Sequence, residues 1–525
     1  MAWWRSYASD ETFSSSTLTI LIGIFAVLWL LWAVKKQRKV AVPPLPPGPR
    51  GLPIVGYLPF IGTELHTKFQ QLGGIYGPIY KIWLANKLCI VISSPSLVKE
   101  VVRDQDPIFS NRDATRVALA MTFEGADIAF APNGPNWRML RKMFVREMLS
   151  PANLDSTFSF QREEVRNTIR NLYDKIGAPI DLGELVFVTV MNVIMKMLWG
   201  NTLRGEEGAK FGVEFRHMFS NLMLLLGKPN VSDLFPSLAS FDLQGIVREA
   251  KEISQSIERV LDYAIDKQIK SLAKAKEEGK PKIAQKDFLQ VLLEIMEQDN
   301  GANSISMTQL KAVLVDIVVA GSDTTTTMSE WVMARLMKHS EIMRKVHEEL
   351  TEIVGMDNLV EESHLPKLHY LDAVIKETFR LHPPLPFLVP RTPSKSSIIG
   401  GYHVPQGSRI FINVWAIQRD PKYWDNPLEF KPDRFLNDGY ARLDYSGNNF
   451  KYFPFGSGRR ICAGITLGEK TLKYIMASIL HSFKWKLPQG LEIDVSDTFG
   501  VVTKKKNPTI AIPTPRLSKS ELFIE

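Results

Sequence analysis

Phe455-Gly-Ser-Gly458-Arg-Arg460-Ile-Cys462-Ala-Gly464 is the stretch that decides how this chain of 525 residues is read. It holds one of only two cysteines, the other being Cys89. A zinc site would want several sulfur or imidazole ligands close together, and Cys462 has no such neighbours in the sequence. The loop offers instead a lone thiolate between glycines. Their small size lets backbone N–H groups approach the sulfur, and arginine charge lies nearby to favour the ionised form.

A single soft, anionic axial ligand suits haem iron engaged in O–O cleavage. The pattern Phe-x-x-Gly-x-Arg-x-Cys-x-Gly, met at Phe455, Gly458, Arg460, Cys462 and Gly464, resembles the signature loop of the cytochrome P-450 family of haem-thiolate monooxygenases. The competing reading is a glycine-rich turn around a buried cysteine. Four more segments resemble family motifs in the expected order. They are Trp137-Arg-Met-Leu-Arg141, Ala320-Gly321-Ser-Asp323-Thr324-Thr325, Glu377-Thr-Phe-Arg380 and Lys431-Pro-Asp-Arg434-Phe435, the last with Asp433 where Glu is usual.

The resemblance implies heme b with Cys462 as its axial thiolate and metal ligand, and Phe455, Gly456 and Gly464 shaping the loop around it. Trp137, Arg141, Arg391 and Arg460 are then expected as partners of the haem propionates, since two carboxylates in a partly dry pocket need fork-shaped donors. Asp323 and Thr324 are the expected catalytic pair. Cleaving dioxygen needs two protons at its distal oxygen, which a hydroxyl-held water and a carboxylate relay would supply. Gly321 is expected to clear space for dioxygen, and the run Thr324 to Thr327 to loosen the helix through bonds back to carbonyls. Glu377 and Arg380, one helical turn apart, are expected to form a structural network with Arg434.

Outward from the motifs, the expected fold class is mainly α with small β-sheets. Residues 79–84 and 88–92 read as hairpin strands, followed by a helix capped by Ser94 with Pro95 first. Residues 253–274 and 306–338 carry long helical patterns. The charge-rich stretch 267–286, broken by Gly279 and Pro281, reads as an exposed helix end and connection.

At the N-terminus, LTILIGIFAVLWLLWAV (18–34) is an apolar run at the short end of what spans a bilayer, and Lys35, Lys36, Arg38 and Lys39 follow it. Basic flanks stay cytosolic. The expected organisation is a lumenal N-terminus 1–17, a transmembrane anchor 18–34, a basic and proline-rich hinge 35–52, and one catalytic domain 53–525. This places the protein as single-pass in the endoplasmic reticulum membrane, with a cytosolic body. A cleaved signal peptide would need small residues at its end, and a plastid transit peptide is opposed by Asp10, Glu11 and the apolar run. Two cysteines give no disulfide framework. A net charge of +8 comes with no zinc-finger spacing or ribonucleoprotein motif, so no nucleic acid is expected as a partner.

No Gly-x-Gly-x-x-Gly follows a strand, so the chain lacks an evident dinucleotide fold. The resemblance therefore implies NADPH-cytochrome P-450 reductase as electron donor, with O2 and a hydrophobic small molecule as substrates. Arg138, Lys142 and Arg146 recur every four residues and form either a docking face for that donor, with Lys451 or Arg459, or a solvated helix face. By analogy with the family, the pocket would draw on Leu119, Met121, Phe123, Met223, Leu224, Val315, Val318, Ala320 and Phe387 to Val389, an apolar set. The wording around residues 137–142, 227–236 and 451–460 is similar to plant microsomal members, and sesquiterpene hydroxylation is the expectation. Flavonoid hydroxylation is the alternative. A dehydratase or isomerase, an aldoxime-type substrate and a haem-binding sensor complete the set.

Overall fold

The computed structural model describes residues 43–524 apart from 201–204, 279–285, 299–304 and 438–439, together with Gly23 and Val27. Apart from Gly23 and Val27, the expected anchor 18–34 and its lumenal flank lie outside the described residues, as does the part 279–285 of the charge-rich stretch 267–286. The body is mainly helical with small sheets, as expected.

The helix Met307–Lys338 crosses the core and organises it. Ser306 starts it with a capping box, its hydroxyl accepting from the Gln309 N–H while the Gln309 side chain accepts from the Ser306 N–H. Leu310, Val313, Leu314, Val318, Trp331 and Val332 are completely buried along it. Around it pack Leu182–Trp199, His369–Leu381 and Ile465–Ser482. Leu182–Trp199 is long and apolar enough to cross a membrane. Eleven of its residues are buried against the rest of the protein, which makes it a core helix.

A five-stranded sheet forms the other body of the fold, in the order Ile79–Leu84, Lys87–Ile92, Arg409–Ile412, Arg391–Thr392, Asn111–Arg112. The hairpin turns at Ala85, whose φ is 50°, and the second strand runs parallel to Arg409–Ile412. At the far edge Arg112 lies directly opposite Arg391 in an antiparallel pair. Cys89 sits buried in the second strand, where burial pushes its thiol up to about 12. It is inert packing, far from thiolate chemistry.

The helix after Ser94 is short, Pro95–Lys99, and continues as a π-helical turn Glu100–Asp104. The proline segment is more than a spacer. Its carbonyls are docked on the body: Pro47 O accepts from the Lys81 N–H (2.7 Å), Pro46 O from Lys81 Nζ (2.6 Å) and Pro44 O from the His403 N–H (2.9 Å).

Candidate active site: the cysteine loop, the central helix and an arginine cluster

The cysteine loop is built by its glycines. Gly456 and Gly458 have φ of 78° and 70°, the left-handed region that glycine enters without strain. At Gly458 an added Cβ would stand 2.3 Å from Val102 O and 2.9 Å from Asp106 Oδ1, so no other residue fits. The Cys462 N–H donates to Phe455 O (3.0 Å) and closes the turn. Gly464 then starts the helix Ile465–Ser482, and its N–H donates to the Cys462 sulfur. Burial raises the thiol, while that N–H and the Arg141 guanidinium pull it back down. Yet Cys462 is accessible, as is Ala320 midway along the central helix.

Four guanidinium groups converge beside the loop. Arg460 donates to Ser110 O (2.7 Å), Ile128 O (3.1 Å) and Ala131 O, and stacks 4.0 Å over the Trp137 ring. Arg391 donates to Asp106 Oδ1 (3.0 Å) and Ser457 O (2.7 Å). Arg141 donates to Ile461 O. The fourth, Arg112, donates to Ala129 O (3.1 Å) and Val389 O (2.5 Å). Sequence reasoning missed Arg112, because nothing local marks it and only the strand register sets it opposite Arg391. The Trp137 indole N–H, expected to face a carboxylate, donates to Ile128 O (3.0 Å), so Trp137 serves Arg460 as a stacking platform.

This cluster is short of negative charge. Burial and the neighbouring arginines push Arg460 down to about 9 and Arg112 well below the usual guanidinium range. Like charges opposed across a strand pair are unfavourable. A dianionic group would relieve that repulsion, and guanidinium forks are the donors it needs. The donor set and the accessible thiol therefore fit a haem with two propionates.

On the central helix, Thr324 Oγ1 donates to Ala320 O (2.6 Å) and Ser322 Oγ to Val318 O (2.6 Å), yet the helix runs unbroken. The expected loosening is absent there, since hydroxyls bond back without displacing the helix's own ladder. With its proton so placed, the Thr324 oxygen keeps lone pairs to accept from a water. Asp323 is buried and ion-paired with Lys504 Nζ at 2.5 Å. Gly321 has a different role from the one expected. A Cβ there would meet Ile194 Cδ1 at 3.0 Å, so the glycine lets two core helices approach, and it is Ala320 that is accessible.

The Glu377 network is as expected. Glu377 accepts from Arg380 Nε (2.7 Å) and Nη2 (2.8 Å), Arg434 Nε (3.0 Å) and the Lys431 N–H (2.9 Å), with Glu377 and Arg380 wholly buried. Asp433 is displaced from it and pairs at the surface with Lys345 (3.3 Å). Of the expected apolar lining, Val315, Val318 and Phe387 are packed core, Phe387 lying among Phe69, Phe411 and Phe499. Leu388 and Val389 stay partly accessible.

Comparison with known proteins agrees with this geometry. Residues 46–512 match the cytochrome P450 family. A flavonoid 3′-monooxygenase of Crocosmia x crocosmiiflora is 37% identical over 509 residues, covering 95% of this chain and 97% of that protein. A flavonoid 3′,5′-hydroxylase of Campanula medium is 35% identical, covering 91% and 93%, and a 3,9-dihydroxypterocarpan 6A-monooxygenase of Glycine max is 35% identical, covering 95% and 98%. Among solved structures, a zebra fish cytochrome P450 with progesterone superposes with a TM-score of 0.73 at 26% identity, covering 86% of this chain and 99% of that one. The chain belongs to the cytochrome P450 family and is a haem-thiolate monooxygenase, with heme b held by the Cys462 thiolate.

Proposed function

We propose that this protein hydroxylates a flavonoid-type phenolic substrate, taking electrons from NADPH through a flavoprotein reductase at the endoplasmic reticulum membrane. The observation that carries this reading is that most of the relatives matched over more than nine-tenths of their length are flavonoid or pterocarpan oxygenases. They favour the flavonoid alternative over the terpenoid reading of the sequence.

The haem supplies dioxygen activation, and its thiolate ligand donates electron density that favours O–O cleavage. The chain's own residues do the rest. Arg112, Arg141, Arg391 and Arg460 would hold the two propionates, and the N–H donated to the Cys462 sulfur tunes the ligand. Thr324 holds a water by accepting its hydrogen bond, and Asp323 passes protons inward after its carboxylate parts from Lys504. The exposed stripe Arg138, Lys142 and Arg146 offers positive charge to an acidic reductase face.

Yeast microsomes containing the protein and a plant reductase, supplied with a panel of flavanones, dihydroflavonols and sesquiterpenes, test this reading. NADPH-dependent addition of one oxygen to a flavonoid ring is the expected outcome. Turnover of the sesquiterpenes with the flavonoids untouched would overturn it.

A further inference from the structure

The loop that leads from the substrate side to the arginine cluster is strained and held by two carboxyl groups that the reaction does not use. Phe123, Glu124 and Gly125 have φ of 50°, 60° and 83°, three left-handed residues in succession, two of them not glycine. Such a run persists only where its surroundings hold it. The holding groups follow directly. Asp127, with no exposed surface, accepts from the Phe130 N–H (2.9 Å) and the Ala131 N–H (3.0 Å). Asp316, on the central helix, accepts from the Ile128 N–H (2.7 Å), also meets the Ala129 N–H, and is hydrogen-bonded to Asp127 itself.

The peptide ribbon 128–131 is thus sandwiched. Its N–H groups face the two carboxyls. Three of its carbonyls accept from guanidinium groups or an indole: Ile128 O from Arg460 and the Trp137 N–H, Ala129 O from Arg112, and Ala131 O from Arg460. Asp316 also lies one helical turn before the accessible Ala320 on the central helix. Two ionised carboxylates cannot hydrogen-bond to each other. A carboxyl–carboxyl contact needs one O–H donor.

We infer that Asp127 and Asp316 share a single proton, and that this acid pair is the positioning device that clamps the strained loop to the central helix and aims its carbonyls at the propionate-binding arginines. The charged groups facing Asp127 are Arg112 and Arg460, and the group facing Asp316 is Asp127. Burial, followed by the Asp127 charge, holds Asp316 well above the usual carboxylate range, and burial raises Asp127 as well. A carboxyl raised in the folded state contributes fully below its unfolded value and loses that contribution as pH rises through the raised one. The clamp therefore fails on the alkaline side.

Asp316→Asn supplies a permanent N–H donor toward Asp127 and keeps an oxygen for Ile128, so it mimics the protonated pair at every pH. Infrared difference spectra of the haem-loaded protein, neutral minus alkaline, are expected to show one protonated-carboxyl C=O band that disappears in both Asp316→Asn and Asp127→Asn. Titration with 4-phenylimidazole, read by the haem absorption shift, is expected to weaken about tenfold or more in the wild type from neutral to alkaline pH and to stay flat in Asp316→Asn. Asp316→Leu, which removes the clamp, is expected to bind weakly at all pH values. If it fails to fold, the asparagine variants decide alone. A carboxyl band that survives in both asparagine variants, or an alkaline weakening unchanged in Asp316→Asn, overturns the inference.

Discussion

Replacing Glu377 with alanine is the sharpest perturbation the structure offers away from the reacting atoms. The Glu377 carboxylate takes four donors, three of them from Arg380 and Arg434. Arg380 has no exposed surface and Arg434 only 7%. Arg380 also holds the backbone of a distant segment, donating to Gln418 O (2.9 Å), Pro427 O (2.7 Å) and Glu429 O (3.0 Å). Removing the carboxylate strands two guanidiniums in a dry core, and breaking a buried pair on one side costs about 3–5 kcal/mol. Against a typical domain stability of about 5–15 kcal/mol, the variant folds but with a much smaller margin. Glu377→Gln keeps the shape and some hydrogen bonds, so its loss should be smaller, near the value of about 1.5–3 kcal/mol for a charge-assisted bond. The assay is urea denaturation followed by the carbon-monoxide difference spectrum of the reduced protein, which reports fold and thiolate ligation together. A Glu377→Ala variant within about 1 kcal/mol of wild type would show that the network is dispensable and refute the reasoning, since even a surface pair contributes up to that amount.

Asp433→Glu restores the residue usual at that position, and because Asp433 pairs with Lys345 at the surface the change should shift stability by less than about 1 kcal/mol in the same denaturation assay. Gly458→Ala places a Cβ against Val102 O and forces a left-handed backbone on alanine, so it should abolish the thiolate-type carbon-monoxide spectrum, and a normal spectrum would contradict the loop geometry. Asp323→Asn should lower kcat by about 10²–10⁴-fold with the substrate-induced spectral shift intact, as expected for lost proton transfer, whereas Lys504→Met should change kcat far less and alter its solvent isotope effect. Lys142→Glu should raise the KM for reductase and flatten the salt dependence of turnover, which steady-state kinetics at graded ionic strength would reveal.

Much of the site was legible because its parts are local. The cysteine loop closes within ten residues, and its glycines fix the backbone whatever lies around it. Residues 306–338 read as one long helix from their pattern, Ser94 and Pro95 announced the start of a shorter one, and Glu377 and Arg380 are neighbours by helical spacing alone. Gly321 shows where this kind of reading fails. A glycine in a motif signals close approach, but not by what, and its neighbour proved to be Ile194 on another helix.

The sequence by itself determined the chemistry at the thiolate: a single cysteine held among glycines and arginines. Only the tertiary structure decided which charges meet. Arg112 opposes Arg391 because two short strands pair in one register, and a slip by one residue would turn both side chains to the other face. Asp127 meets Asp316, and Asp323 meets Lys504, across 189 and 181 positions of chain. Backbone conformation depends on near neighbours and can be read from them. Electrostatic convergence depends on distances through space, and those exist only after the chain has folded.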